Sequence, residues 1–149
     1  QVKIVNSCGF DSIPSDMGVY FIYKDILKKD LQISMRVTGA KGGYSGGTYA
    51  SINNIISEAS KNKEIRKDLI NPYGLNPEGE KNGPDKRDLS SVIFDKKIKK
   101  WIAPFLMAGI NTKIVRRSNA LSNYKYGKNF RYDEAVMTGD GFMGRIRGI

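Results

Sequence analysis

The stretch CGFDSIPSDMG, Cys8 to Gly18, sets two carboxylates (Asp11, Asp16) and two hydroxyls (Ser12, Ser15) around Gly9 and Pro14. Two kinds of work suit such a set. Structurally, Asp11 or Ser12 can cap the first free N–H groups of a helix, Pro14 fits a first turn, and Asp16 adds favourable negative charge there. Chemically, a strand–loop–helix junction with free backbone N–H groups is where anions and ligand carboxylates dock. Capping leaves Gly9 and the clustering of Ser7, Cys8 and Ser12 unexplained, so both readings stay open on the residues alone.

Other polar clusters follow. GAKGGYSGGTYAS carries five glycines between Gly39 and Gly47. It lacks the Gly-Lys-Ser/Thr closure of a P-loop and does not fit G-x-G-x-x-G. It reads as a flexible strand-to-helix turn capped by Thr48, or as a substrate-side loop offering the hydroxyls of Thr48 and Ser51. NTKIVRRSNAL places Arg116 and Arg117 side by side in a helix, about 100° apart. One can then grip a phosphate or carboxylate bidentately while the other is solvated; an exposed basic face is the equal alternative. Ser118 and Asn119 are poor interior helix residues, which favours a polar face with a function. Trp101, Phe105, Leu106 and Met107 read as core, with a cleft wall or dimer surface second.

The exclusions are firmer. The chain has no His and one Cys, Cys8. Ser-His-Asp and Cys-His triads, an intrachain disulfide and a Cys-rich zinc site are therefore ruled out within it, and no metal site is expected. No residue is an obvious proton donor; Asp11, Tyr44, Tyr49 and Lys113 are candidates without geometry to choose among them. A lone cysteine fits a reducing, cytoplasmic setting.

Periodicity supplies the elements that must position these groups. Val2–Val5 reads as a short strand and Pro14 to about Lys29 as a helix. LQISMRVTGA alternates cleanly, with Leu31, Ile33, Met35 and Val37 on one face of a half-buried strand. A helix from about Thr48 to Ser60 carries a stripe of Ile52, Ile55, Ile56 and Ala59. A shorter one spans Lys63–Ile70, stopped before Pro72. NPYGLNPEGEKNGPDKRDLSS has no periodicity, so it is functional, mobile or packed by its own side chains. SVIFDKKIKKWIAPF reads as a β-hairpin. A third helix from about Asn111 to Tyr124 carries Ile114, Val115, Ser118 and Leu121 and ends with Gly127 as its C-cap. FRYDEAVMTG closes the pattern as a strand. The fold class that follows is α+β, a mixed or mostly antiparallel sheet with helices on one face, and not a doubly wound nucleotide-binding layout.

At 149 residues, 40% of them apolar, the chain makes one domain, and no apolar run is long enough to span a membrane. QVKIVNSCGF has neither the pattern of a signal peptide nor an initiator Met, and the sequence is expected to be a piece of something longer. The formal charge of +10 raises nucleic acid, an anionic membrane or a phosphate-bearing ligand as partners. The lysines are scattered, however, and no aromatic stacking row accompanies them. A solubilising surface is the plainer reading, and nucleic acid is not the expected partner.

Four blocks in this order, CGFDSIPSDMG, GGTYAS, NPYGLNPEG and WIAPFLMAGINTKIVRRSNAL, followed by YGKNFRYDE, resemble the saccharopine dehydrogenase-like oxidoreductases, which include the bacterial trans-acting enoyl reductases. The first and fourth blocks are specific, and the resemblance spans nearly the whole chain. It implies a non-Rossmann second domain, 1–149, whose N-terminal dinucleotide-binding domain is absent from this sequence. It further implies NAD(P) held by that missing partner domain, a small-molecule substrate and a homodimer. Carried over residue by residue, Gly9, Phe10, Asp11, Ser12 and Pro14 would face nicotinamide or substrate across the interdomain cleft. Thr48, Ser51, Arg116 and Asn119 would join them. Asp11 and Ser12 are the catalytic candidates, and the chain alone is expected to bind no cofactor tightly and to be inactive. The alternative is a non-enzymatic basic α+β module that binds a polyanion such as nucleic acid.

Overall fold

A computed structural model describes residues 2–3, 8–26, 29–39 and 46–149. Its elements run α1 (Ile13–Ile26), β1 (Gln32–Val37), α2 (Gly46–Lys61), α3 (Lys63–Ile70), β2 (Ile93–Asp95), β3 (Lys100–Ala103), α4 (Ala108–Leu121), β4 (Arg131–Gly139) and α5 (Gly141–Arg147). The sheet order is β1-β4-β3-β2, with β1 parallel to β4 and the other pairs antiparallel. This is the mixed α+β sheet the sequence pattern calls for.

Alternation along β1 and β4 sorts the two faces of the sheet. Ile33 pairs with Tyr132 and Met35 with Glu134 in register. Ile33, Met35 and Tyr132 meet Val19 of α1 and Val115 of α4, with Tyr126 and Phe130 completing the core. α4 packs on both α1 and β4, so these helices cover that face. The other face is polar. Ser34 donates to Asp133 at 2.6 Å, and Arg36 bridges Asp133 and Asp95.

The irregular stretch between α3 and β2 is held by its own side chains, one of the outcomes the sequence left open. Asn71 donates to Lys81 O at 3.0 Å and Asn76 to Glu80 O at 3.2 Å, while the Tyr73 hydroxyl accepts from Asp85 N at 3.0 Å. Gly83 lies so close to that ring that a Cβ would sit 2.2 Å from Tyr73 Cζ. A loop with this many satisfied groups is a rigid wall.

Several expectations change. α4 starts at Ala108, ahead of Asn111, and its C-cap is Ser122; Asn123 and Tyr124, with φ of 56° and 54°, reverse the chain. Gly127 is therefore not the cap. Its φ of +99° serves a close approach instead: a Cβ there would lie 2.1 Å from Asp30 Oδ1, which accepts from Asn129 N. α2 follows the expected span, but none of its residues is buried; Ile55 and Ile56 are 44% and 62% exposed. Its apolar stripe packs chiefly on α3. α5 was not foreseen, since seven residues opening on glycine give almost no periodicity. The strand expected at Val2–Val5 and the glycine turn over Gly42 and Gly43 lie largely outside the described residues, as does Tyr44.

Candidate functional site

The junction that opens α1 is built from a tight turn. Gly9 O accepts from Ser12 N and Ile13 N at 3.3 and 3.1 Å, and Ser12 O accepts from Asp16 N to start the helix. Gly9, Asp11 and Pro14 are exposed, and Phe10 is 89% exposed. Ser12 turns the other way. Its hydroxyl does not cap the helix but donates to Asn111 Oδ1 at 3.0 Å, inside the protein.

That bond opens a buried polar chain. Asn111 Nδ2 donates to Glu134 Oε2 at 3.1 Å, and the Tyr132 hydroxyl donates to Glu134 Oε1 at 2.7 Å. All four side chains are buried, Glu134 only 2% exposed, and no cation pairs with it among the described residues. A carboxylate with two donors orders the polarity of everything attached to it. The Asn111 amide must point Nδ2 at Glu134 and Oδ1 at Ser12, so the Ser12 hydroxyl is fixed as an inward donor and presents only lone pairs outward. Burial first, and then the charge of Glu134 and its hydrogen bond, push the Tyr132 phenol well above its ordinary pKa and keep it a donor. α1, α4 and β4 thus lock the base of an exposed turn.

Asn111, Tyr132 and Glu134 were not among the sequence-derived candidates. The alternation in FRYDEAVMTG could have found Glu134: it falls on the same face as Tyr132 and Val136, where an acid needs buried partners.

Arg116 and Asn119 are equally interior. Arg116 is 3% exposed; it donates through Nε to Asp85 at 2.6 Å, through Nη1 to Pro72 O and Thr112, and through Nη2 to Tyr132 O. It also stacks over the Tyr73 ring. Arg117, one helix step around, is exposed and reaches Leu75 O, as the angular argument requires. Asn119 donates to Gly127 O and accepts from Tyr126 N, clamping the chain reversal after α4. Lys113 gives its ammonium to Leu69 O and Asp68 O, and burial is the main cause holding its pKa below the usual lysine value. Asp16, in the first turn of α1, accepts from Ser118 at 2.9 Å; burial raises its pKa against that bond. Thr48 is half-buried and Ser51 and Tyr49 exposed at the start of α2, which the structure does not join to the Ser12 chain.

Among the described residues no group of His, Cys, Asp and Glu could hold a metal ion, and no helix is long and apolar enough to cross a membrane. A dinucleotide-binding β-α-β unit places a strand, a glycine-rich turn and a helix packed back on a parallel sheet. Here α2 follows β1 but packs chiefly on α3, and the parallel neighbour β4 comes only after the hairpin and α4.

Comparison with known proteins supplies the relationship. A Mycobacterium tuberculosis (strain H37Rv) protein that carries the provisional name trans-acting enoyl reductase is 40% identical over 157 residues, covering 99% of this chain and 38% of that protein. A trans-acting enoyl reductase of Mycobacterium leprae is 32% identical, and one of Mycobacterium bovis BCG 34%; each match covers 92% of this chain and 35% of the relative. The chain thus spans little more than a third of the length of these relatives. No family model matches it, and no solved structure matches it significantly. Along nearly its whole length, this chain is a relative of one segment of the trans-acting enoyl reductases.

Proposed function

We propose that this chain is the substrate-side and dimerisation part of an NAD(P)-dependent, saccharopine dehydrogenase-like enoyl reductase, with the dinucleotide bound by a Rossmann domain outside it. The observation that carries the reading is a mismatch of coverage. Identity of 40% runs through 99% of the chain yet covers only 38% of the relative, which leaves room there for a further domain. The chain then orients substrate and the other part brings the hydride. Binding energy spent on placement is a large part of catalysis for two-reactant chemistry. The Gly9–Asp11 turn suits that task because Ser12, Asn111 and Glu134 hold its base rigidly while Phe10 and Asp11 stay open. Phe10, Met17 and Phe21 add exposed apolar surface along the same turn and helix, available to the second domain or to a second copy.

In the longer protein this reading calls for, Phe10→Ala and Asp11→Asn should each lower kcat/KM for NADPH-dependent reduction of an enoyl thioester by about tenfold or more. The melting temperature should hold within a few degrees, since neither side chain is buried. Both variants turning over normally would remove the turn from the site.

A further inference from the structure

A second feature lies on the polar face of the sheet and shares only Tyr132 and Glu134 with the buried Ser12 chain. Between residues 84–89 of the irregular loop and the β2–β3 hairpin opens a cleft of about 500 Å³, within the roughly 300–1,000 Å³ range of small-molecule sites. Beneath it lie Ala135 and Ile102, 1% and 4% exposed. Leu89, Ile93 and Phe94 line one side and make it apolar; Ile93 and Phe94 are 42% and 43% exposed.

The charges around this cleft are unevenly committed. Four of its five carboxylates are firmly held, while Asp88 has one long hydrogen bond and a buried Oδ1 without any. Arg116 holds Asp85; Arg36 holds Asp95 and, with Ser34, Asp133; Asn111 and Tyr132 hold Glu134; and Thr112 donates to Asp88. Arg36 and Arg116 are taken up in these ion pairs, with Arg36 Nε left buried and unpartnered. The remaining cations of the lining, Lys86, Arg87, Lys96 and Arg131, are exposed, and their side chains make no hydrogen bond or ion pair among the described residues. Six cations and five carboxylates line the cleft, a net charge of only +1, and the charged side chains left wholly without partners among the described residues are the four exposed cations at the mouth, beside an apolar wall. An anion docking there meets those cations first, next to a low-dielectric wall that strengthens their pull. Two guanidinium groups among the cations favour a dianionic, multi-oxygen head over a monocarboxylate.

We propose that this cleft binds an amphipathic organic phosphate, its head on Arg87, Arg131 and the flanking lysines and its apolar part against Leu89, Ile93 and Phe94. The proposal concerns a site distinct from the Ser12 turn and stands whether or not the oxidoreductase reading holds. The irregular loop gains a purpose from it, since it brings Lys86 and Arg87 to the same cleft as Arg131. The shape argues against duplex nucleic acid, which asks for a long stripe of cations rather than one recess.

Trp101, the chain's single tryptophan, is a built-in reporter, because its ring meets that of Phe94 edge-on at 5.5 Å. The test titrates the 149-residue chain with octyl phosphate below its micelle concentration, followed by Trp101 fluorescence and by calorimetry. Inorganic phosphate, neutral octyl glucoside and a short DNA duplex run in parallel. The expected result is saturable octyl phosphate binding at least about tenfold tighter than either inorganic phosphate or octyl glucoside, the combination of head and tail adding over 1.4 kcal/mol. Arg87→Glu with Arg131→Glu should weaken it at least tenfold. Lys61→Glu with Lys63→Glu, the same charge change at exposed positions on α2 and α3, should leave it unchanged. Equal weakening by the two pairs, equal affinity for phosphate or for the glucoside, DNA binding alone, or no saturable signal at millimolar concentration would each overturn the proposal.

Discussion

Replacing Arg116 by alanine is expected to destabilise the chain by about 3–5 kcal/mol, the usual loss when one partner of a buried ion pair is removed. The side chain is 3% exposed and its pair with Asp85 is almost fully enclosed. Its loss strands more than a carboxylate. Pro72 O, Tyr132 O and Thr112 Oγ1 each lose a donor, so a strand, a helix and the irregular loop come apart at one point. At this chain length each kcal/mol moves the melting temperature by about 2–4 °C, so a drop of roughly 10 °C is expected. Arg116→Lys should recover only part, because one ammonium cannot reproduce a planar fork that reaches several acceptors. Adding Asp85→Asn to Arg116→Met should also restore part of the loss, since the unpaired carboxylate is the main penalty. Urea midpoints at unchanged slope measure all of this. An Arg116→Ala midpoint within about 0.5 kcal/mol of the parent would contradict the interior role.

Glu134→Ala ranks next, at about 2–4 kcal/mol, because it leaves a cavity and two buried donors, Tyr132 OH and Asn111 Nδ2, without an acceptor. Glu134→Gln is the informative variant. Its amide can still accept from Tyr132, but its NH₂ then faces the Asn111 NH₂. Rotation of the Asn111 amide resolves this by turning Nδ2 toward Ser12, and the Ser12 hydroxyl becomes an acceptor inside and a donor outside. The cost should fall to about 1 kcal/mol, while the hydrogen-bonding character of the turn inverts. The alkaline limit offers a second readout. Burial, and then the charge of Asp16, push the Tyr126 phenol up to about 12, and Tyr132 moves the same way. A phenol whose folded pKa is raised keeps its proton while the unfolded chain loses it near pH 10, so stability is full below pH 10 and falls as pH rises toward about 12. Removing the Glu134 charge should soften that fall.

What the sequence made legible is what depends on local pattern. The alternation of Leu31 to Val37 and the apolar spacing of α1 located those elements, because each pattern has one period. The irregular loop has none, so self-packing was only one of three outcomes the sequence left open for it. Gly127 was misjudged as a cap because a glycine after a helix has two common uses, and only the approach of Asp30 tells them apart. The pair Arg116–Arg117 was read with the correct angular split, but which of them faces inward depends on Asp85 and Tyr132, distant in sequence. Asn111 was hidden likewise: its bond to Glu134 joins α4 to β4, and its residue type does not signal burial. The exposed stripe of α2 has a further cause. Its spacing promised a buried face, yet among the described residues it packs chiefly against α3.

The central claim is that this chain holds the substrate side and not the dinucleotide. A fluorescence titration of the 149-residue chain with NADPH at physiological salt tests it most directly. No saturable binding is predicted, with binding gained when the chain is joined to the dinucleotide-binding domain that the proposal calls for. Saturable NADPH binding by the chain alone would contradict the account, and the glycine turn before α2 would then be the first place to look.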